Sequence, residues 1–299
     1  MERDAHPADS SASAFPPPRQ TRRGAVLAIA TSGAWTSVAV LRQAGNSHDC
    51  ESVAEPAGAD QATRLLAMIG DLLGADGLAA IDAIAFDAGP GAFTGLRIGC
   101  SVAQGLGFAS GVPLVPVGSL EAAAWRAVRQ AGVAQAVVPV VNDARMGGLY
   151  AAVCAVSVKA GGALSIEILI PARLERPDAP SADLSREAID RANPESAGWR
   201  WLLAGDAWHG VALGDGWREL GRNAGATAPV AAVAADAHSV AELGLALWRA
   251  GRAVAAHEAA PRYVRDKVAL DVDEQRALRE RRGAGIEPHG RRPAADSAS

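Results

Sequence analysis

Phe86-Asp-Ala-Gly-Pro-Gly-Ala-Phe-Thr-Gly-Leu-Arg-Ile-Gly99 is where the chain declares its fold. The apolar run Ile81–Phe86 predicts a strand. It breaks into a Gly-Pro-Gly turn and then opens a helix, and strand–turn–helix is the unit from which α/β folds are built. Gly89 and Gly91 permit backbone angles that a side chain forbids, Pro90 fixes the turn, and Thr94 is the residue placed to cap the helix. Amide groups at such a helix start can receive an anion or a partner's carboxylate.

The helix that follows has two distinct faces. Gly95, Gly99, Ala103 and Gly107 recur every fourth residue on one, and Ile98, Val102 and Leu106 form an aliphatic stripe on another. Interior glycine costs a helix about 0.5–1 kcal/mol relative to alanine, so Gly99, Gly105 and Gly107 together cost roughly 2–3 kcal/mol that packing must offset. A smooth face lets another backbone approach closely, and both the protein's own sheet and a partner's helix qualify. Arg97 sits in the first turn, where the helix dipole disfavours a cation. This calls for a partner: Asp87, Asp143, or an external carboxylate or phosphate.

Working outward, Ala25–Thr31 and Thr36–Leu41 read as an antiparallel hairpin around the turn at Ser32-Gly33. Leu65, Leu66, Ile69, Leu72 and Leu73 give Asp60–Leu73 a helical period that Gly74 ends. A strand at Leu114–Val117 precedes a helix at Ser119–Gln130, with Ser119 as its cap. The pattern then restarts: strands at Ala136–Val141 and Leu149–Val156 around the turn Asn142–Gly148, a strand at Leu164–Ile170, a helix at Ser181–Ala192, a strand at Trp201–Ala204 and a helix at Val240–Trp248. Strand, hairpin, strand and helix thus occur twice, which predicts an α/β protein of two related lobes with mixed sheets. The expected divisions are residues 24–120 plus 236–265 for the first lobe and 121–235 for the second. Met1–Arg23 reads as an unstructured tail, and 266–299 as a helix that degrades into an arginine-rich tail.

Composition narrows the chemistry. The 299 residues are 49% hydrophobic but only 4% aromatic, so the core must come from Ala, Val, Leu and Ile. Asp+Glu (33) outnumber Lys+Arg (29), and a net charge of −4 argues against a protein that grips nucleic acid by its own field. Lys159 and Lys267 are the only lysines, which excludes a Walker-type Gly-Lys-Ser/Thr loop. Cys50, Cys100 and Cys154 have neither zinc nor redox-pair spacing and read as small buried hydrophobes in a reducing, cytoplasmic setting. The longest apolar stretch, Ile98–Val117, is too interrupted to span a membrane.

Four blocks, Leu27-Ala-Ile-Ala-Thr-Ser32, Gly89–Gly99, Asp143-Ala-Arg-Met-Gly147 and Pro261-Arg-Tyr-Val-Arg265, resemble in this order the TsaB (YeaZ) family. The resemblance runs from about Ala25 to Ala269. It implies the two-lobed ASKHA (actin-like, RNase H-like) fold. It also implies a non-catalytic role as partner of TsaD, which transfers threonylcarbamoyl to adenosine 37 of tRNA, with the ATPase TsaE joining the pair and tRNA met only through the complex. No cofactor or metal of the chain's own is implied; ATP or ADP would be held only in the assembled complex. By the same resemblance the helices at Asp60–Leu73 and Thr94–Phe108 form the surface that faces TsaD, or a second copy when the chain is alone. This points to Arg64, Leu65, Met68, Leu72, Gly95, Gly99, Val102, Ala103 and Gly107. Gly89, Pro90, Gly91, Phe93, Thr94, Arg97, Asp143 and Arg145 are the motif residues and candidate anion contacts.

The chain departs from the family pattern at three places: Ala30 stands where strand one commonly carries Asp, Gln61 where the first helix is preceded by His, and Ala92 where the motif has Ser. Loss of the strand-one carboxylate removes the group that ASKHA phosphotransferases use to position metal and water. The alternative readings, a phosphotransferase acting alone or a weak peptidase, lack a second phosphate loop and a Gly-x-Ser-x-Gly elbow respectively. A TsaD-like metal site would need a His-x-x-x-His pair that the six histidines do not form.

Overall fold

Every residue of β1 (Ala25–Ala30) is buried, which an apolar run achieves when both faces of its sheet are covered. The computed structural model describes residues 24–45, 47–159, 163–184, 199–223 and 234–264, and in it β1 is the centre of a five-stranded sheet. β2 (Trp35–Ala44) returns antiparallel, pairing Ala30 with Ser37, and β3 (Ser47–Pro56) continues the meander. On the other side β4 (Ala83–Gly89) runs parallel to β1, and β5 (Leu114–Gly118) parallel to β4. The order is β3-β2-β1-β4-β5. β3 escapes sequence reading because its Ser-His-Asp-Cys-Glu-Ser run is polar and mostly exposed, as an edge strand can be.

The second sheet repeats this plan. β6 (Gln135–Asp143), β7 (Leu149–Val158), β8 (Leu164–Glu175) and the short β9 (Arg200–Trp201) take the order β8-β7-β6-β9. As in the first sheet, the leading strand is antiparallel to the second, the second to the third, and the leading strand parallel to the fourth. The two mixed sheets are therefore related lobes of one ASKHA-type α/β architecture. The strand expected at Trp201–Ala204 is shorter than foreseen: after Trp201 only an isolated bridge joins Ala204 to Val140.

Helices fill the layers around the sheets. α1 (Gln61–Leu73) and α2 (Phe93–Ser110) pack on the outer face of the first sheet, where Leu65, Ile69, Cys100 and Ala103 meet Leu27, Ile29, Ile84 and Phe86. α3 (Ser119–Ala131) and α6 (Ala237–Arg249) lie between the sheets, with Ala124, Trp125, Val240 and Leu243 in one core with Val26, Ala28, Val138 and Val140. α4 (Ala207–Gly210) and α5 (Asp215–Asn223) cover the second sheet, around the fully buried Trp217. α5 was not foreseen. The helix expected at Ser181–Ala192 falls largely outside the described residues, and its described start, Ala182–Leu184, is a single 3₁₀ turn. Both tails also lie outside them. Ser119 is not a cap: Gly118 holds that position, and the Ser119 hydroxyl accepts the Gly89 amide at 3.0 Å.

One carboxylate ties the middle layer together. Glu242 of α6 accepts from the Trp125 indole at 2.6 Å and from Arg129 at 3.2 Å, both on α3, and lies 3.1 Å from His48 Nε2 of β3. Among the described residues no helix is long and apolar enough to cross a membrane.

Gly244 marks how tightly α6 is seated, because a Cβ there would overlap the Cβ of Ala85 on β4. Gly244→Val should therefore destabilise the protein by about 1–3 kcal/mol, read as a lower urea midpoint with an unchanged slope.

Candidate functional site

The motif that opened the sequence reading begins on a fully buried strand, β4, and enters α2 without a side-chain cap. Ala92 occupies the cap position, so Thr94 lies within the first turn and is exposed. Its expected capping role is not realised.

What holds the turn is Asp87. Its carboxylate is 1% exposed and accepts the amide of Thr31 at 3.0 Å and that of Ser32 at 2.8 Å. The end of β1 is thereby fixed to the end of β4. Ser32 returns the tie, its carbonyl accepting the Ala92 amide at 2.8 Å, and the Thr31 hydroxyl donates to the Gly95 carbonyl at 2.8 Å. Gln61, at the start of α1, donates to the Thr36 hydroxyl at 2.7 Å and brings that helix into the same knot. Burial pushes the Asp87 carboxyl up to about 6, against the hydrogen bonds from Ser32 and Thr31 that favour its charged form.

The glycines are read differently once this knot is visible. A Cβ at Gly91 would lie 2.5 Å from the Ser32 Cβ; at Gly95 it would land on the Thr31 carbonyl oxygen, and at Gly99 on the Thr31 hydroxyl. At Gly107 it would press on Leu114 at 2.8 Å. Ala103 is fully buried on the same face. The smooth face is thus closed by the protein's own sheet, and Gly95, Gly99, Ala103 and Gly107 are not available to a partner. Leu65 (0% exposed) and Met68 (5%) on α1 are likewise core residues. This corrects the expectation that the small-residue face docks a second chain.

The outward face of the same helices is another matter. Arg64 is exposed and reaches Glu55 of β3, Leu72, Ile98, Val102 and Leu106 are half-buried, and Leu66 (51%) and Phe108 (85%) are exposed. Among the described residues no element covers this apolar surface.

Arg97 finds neither Asp87 nor Asp143. Its guanidinium lies 3.7 Å over the Phe93 ring, and its Nε donates to the Tyr263 hydroxyl at 3.2 Å. Phe93 and Tyr263 are themselves 5.5 Å apart, tilted. The segment carrying Tyr263 runs as a strap across the motif: the Arg262 amide donates to the Ala88 carbonyl, its own carbonyl crowds Gly89, and the Ala259 carbonyl accepts from Gln104 at 2.9 Å. Pro90 is thus enclosed in a turn packed by the chain itself. The sequence showed the Pro261–Arg265 block but not that it closes over Gly89.

Asp143 and Arg145 occupy the β6–β7 turn in the other lobe. Asp143 accepts the Arg145 amide at 2.7 Å and its guanidinium at 3.1 Å, while Asp206 accepts the Asp143 amide at 2.8 Å. Arg145 and Met146 both adopt positive φ (60° and 52°), a conformation that side chains resist. Polar groups are thus arranged in two clusters, one per lobe. Buried Cys100 and Cys154 and half-buried Cys50 are free thiols, and burial pushes Cys50 up to about 12, leaving it protonated. Among the described residues no group of three His, Cys, Asp or Glu side chains is arranged to hold a metal.

Asp87→Ala should cost about 2–4 kcal/mol, since the buried Thr31 amide and the half-buried Ser32 amide lose their acceptor. Asp87→Asn keeps an acceptor without the charge. Because folding raises this carboxyl from 3.8 to about 6, its contribution is fullest below pH 4 and is lost as pH rises to 6. The stability of wild type minus that of Asp87→Asn should fall by up to about 3 kcal/mol between pH 4 and pH 7, measured by urea unfolding.

Residues 53–179 match the model of the TsaD family, tRNA N6-adenosine threonylcarbamoyltransferase. The tRNA threonylcarbamoyladenosine biosynthesis protein TsaB of Haemophilus influenzae is 39% identical over 127 residues, 42% of this chain, and the match spans about half of that relative, 51% of its length. The protein of the same description from Escherichia coli is 28% identical over 209 residues, covering 69% of this chain and 81% of that one. A solved structure described as an uncharacterized protein with similarity to peptidase YEAZ, from Pseudomonas aeruginosa, is 30% identical with a TM-score of 0.63, covering 81% of this chain and 99% of the other.

Proposed function

The chain belongs to the TsaB (YeaZ) family, and on that premise we propose that it is a non-catalytic subunit of the machinery that makes threonylcarbamoyladenosine at position 37 of tRNA. It binds and activates the TsaD transferase, together with the TsaE ATPase. The observation that carries the reading is the apolar face of α1 and α2 that no described residue covers, formed by half-buried Leu72, Ile98, Val102 and Leu106 and exposed Leu66 and Phe108. Such a face is what a lasting protein partner covers. The motif that could have formed an anion site is instead packed by the chain's own Ser32, Thr31 and Arg262, so the conspicuous residues serve to present this face rather than to perform chemistry.

The match of residues 53–179 to the transferase family supports the choice of partner. A chain that shares part of its partner's fold can offer an equivalent surface, and a pseudo-symmetric heterodimer then replaces a symmetric pair. On this reading the same face closes on a second copy when TsaD is absent, tRNA is met through the complex, ATP or ADP is held only there, and the assembly works in the cytoplasm.

Val102→Glu tests the proposal, since the side chain is half-buried on the outer face and away from the Asp87 knot. A charge placed in the centre of a docking surface costs about 2 kcal/mol or more. Binding to TsaD should weaken at least roughly 30-fold and tRNA threonylcarbamoylation by the reconstituted complex should fall with it, while the thermal midpoint of the isolated chain stays within a few degrees. Unchanged affinity for TsaD would discard the surface.

A further inference from the structure

Most glycines inside the helices serve the chain's own packing. A Cβ at Gly95, Gly99 or Gly107 of α2, at Gly216 or Gly221 of α5, or at Gly244 of α6 would come within 4 Å of atoms beyond its own helix backbone. Two differ. Among the described residues, Gly70 of α1 and Gly105 of α2 are the interior helix glycines at which an added Cβ would meet nothing within that distance. Both are exposed, and neither has a positive φ. Alanine fits at either position and favours the helix, so the fold itself gives no reason for these two glycines.

Their places are not scattered. Both lie on the two helices whose outward sides carry apolar surface that no described residue covers. Side chains three and four residues apart are neighbours on a helix. Gly105 is therefore the floor of a notch, with Ser101 and Val102 one turn before it and Phe108 and Ala109 one turn after, and Phe108 is 85% exposed. Gly70 has Leu66 and Ala67 one turn before it, and Leu66 is 51% exposed. Each helix thus sets a bare stretch of backbone one turn away from a large projecting apolar side chain. Projection beside notch is the relief by which one helix seats on another.

We propose that Gly70 and Gly105 are the seats into which the partner's helices place large apolar side chains, while Leu66 and Phe108 enter between those helices in return. The inference rests on the reading of the α1–α2 face as the TsaD-binding surface and deepens it, because it fixes the kind of surface TsaD must offer: a pair of helices with projecting aliphatic or aromatic residues. The match of residues 53–179 to the TsaD family takes in both α1 and α2, which supports a partner with a like pair of helices. The cost of each glycine to the isolated helix is then offset in the complex.

Gly105→Ala tests the inference because its two expected effects have opposite signs. In the isolated chain the thermal midpoint should rise by about 1–4 °C. Binding to TsaD, titrated calorimetrically, should weaken at least about fivefold, and further for Gly105→Leu. Gly70→Ala should behave in the same way. Phe108→Ala should weaken binding severalfold with an unchanged midpoint, and it gives an answer even if a glycine variant misfolds. If Gly105→Leu and Phe108→Ala bind TsaD as tightly as wild type while Val102→Glu weakens binding, the seats are overturned and the face stands. If Val102→Glu also leaves the affinity unchanged, face and seats fall together. A lowered midpoint for isolated Gly105→Ala would overturn the inference as well, since that glycine would then serve the fold.

Discussion

The buried carboxylate of Asp87 is the constraint on which the rest depends. It sits at the end of β4 and accepts the amides of Thr31 and Ser32 at the end of β1, so two parallel strands and the turns that leave them become one unit. With Thr31 fixed, α2 can approach only if it carries no side chains there, and Gly95 and Gly99 meet that requirement. The helical cost of those glycines is a consequence of how close α2 must come to the sheet. The strap through Arg262 and Tyr263 then seals the turn from outside, with Arg97 held by the Phe93 ring and the Tyr263 hydroxyl rather than by an anion.

Small residues settle the middle layer in the same way. Ala28, Ala30, Ala39 and Ala85 on one sheet and Ala152 on the other face α3 and α6, which bring Ala122, Ala123, Ala124, Ala127 and Ala241. A core so poor in aromatics closes because helices and sheets come near each other, and the Glu242 cluster joins α3, α6 and β3 at its polar end. Two sheets with the same strand order can thereby enclose one pair of helices. Both outward layers remain, and of these the α1–α2 layer presents half-buried and exposed aliphatic side chains to its surroundings.

Much of this was legible in the sequence. The hairpin of β1 and β2, the amphipathic period of α1, the strand–turn–helix of the motif and the restart at Ala136 all follow from local patterning, which is why two mixed sheets could be expected. What escaped was set by tertiary context. β3 pairs its full length with β2 although its residues are mostly polar, and α5 is anchored by Trp217 and Leu220 among charged, Gly and Asn residues. In the candidate site, the small-residue face of α2 was visible but its partner was not, since periodicity identifies a face and cannot say whether the facing backbone belongs to the same chain. Arg97 was read as seeking an anion because charge is evident in sequence, whereas Tyr263, 166 residues away, becomes a neighbour only through the fold. Asp87 was noticed only as a candidate partner for Arg97. An aspartate at the end of an apolar strand gives no local sign that it will accept amides from the neighbouring strand.

The central claim is that the glycine face of α2 is an internal contact and that the opposite face is the one presented to a partner. Urea unfolding of isolated Gly95→Ala measures it most directly, because a Cβ there lands on the Thr31 carbonyl, a backbone atom that cannot swing aside. A loss of about 1–3 kcal/mol is predicted, despite alanine's better helix propensity. Unchanged or increased stability, together with lost binding to TsaD, would contradict the account and return the small-residue face to the partner.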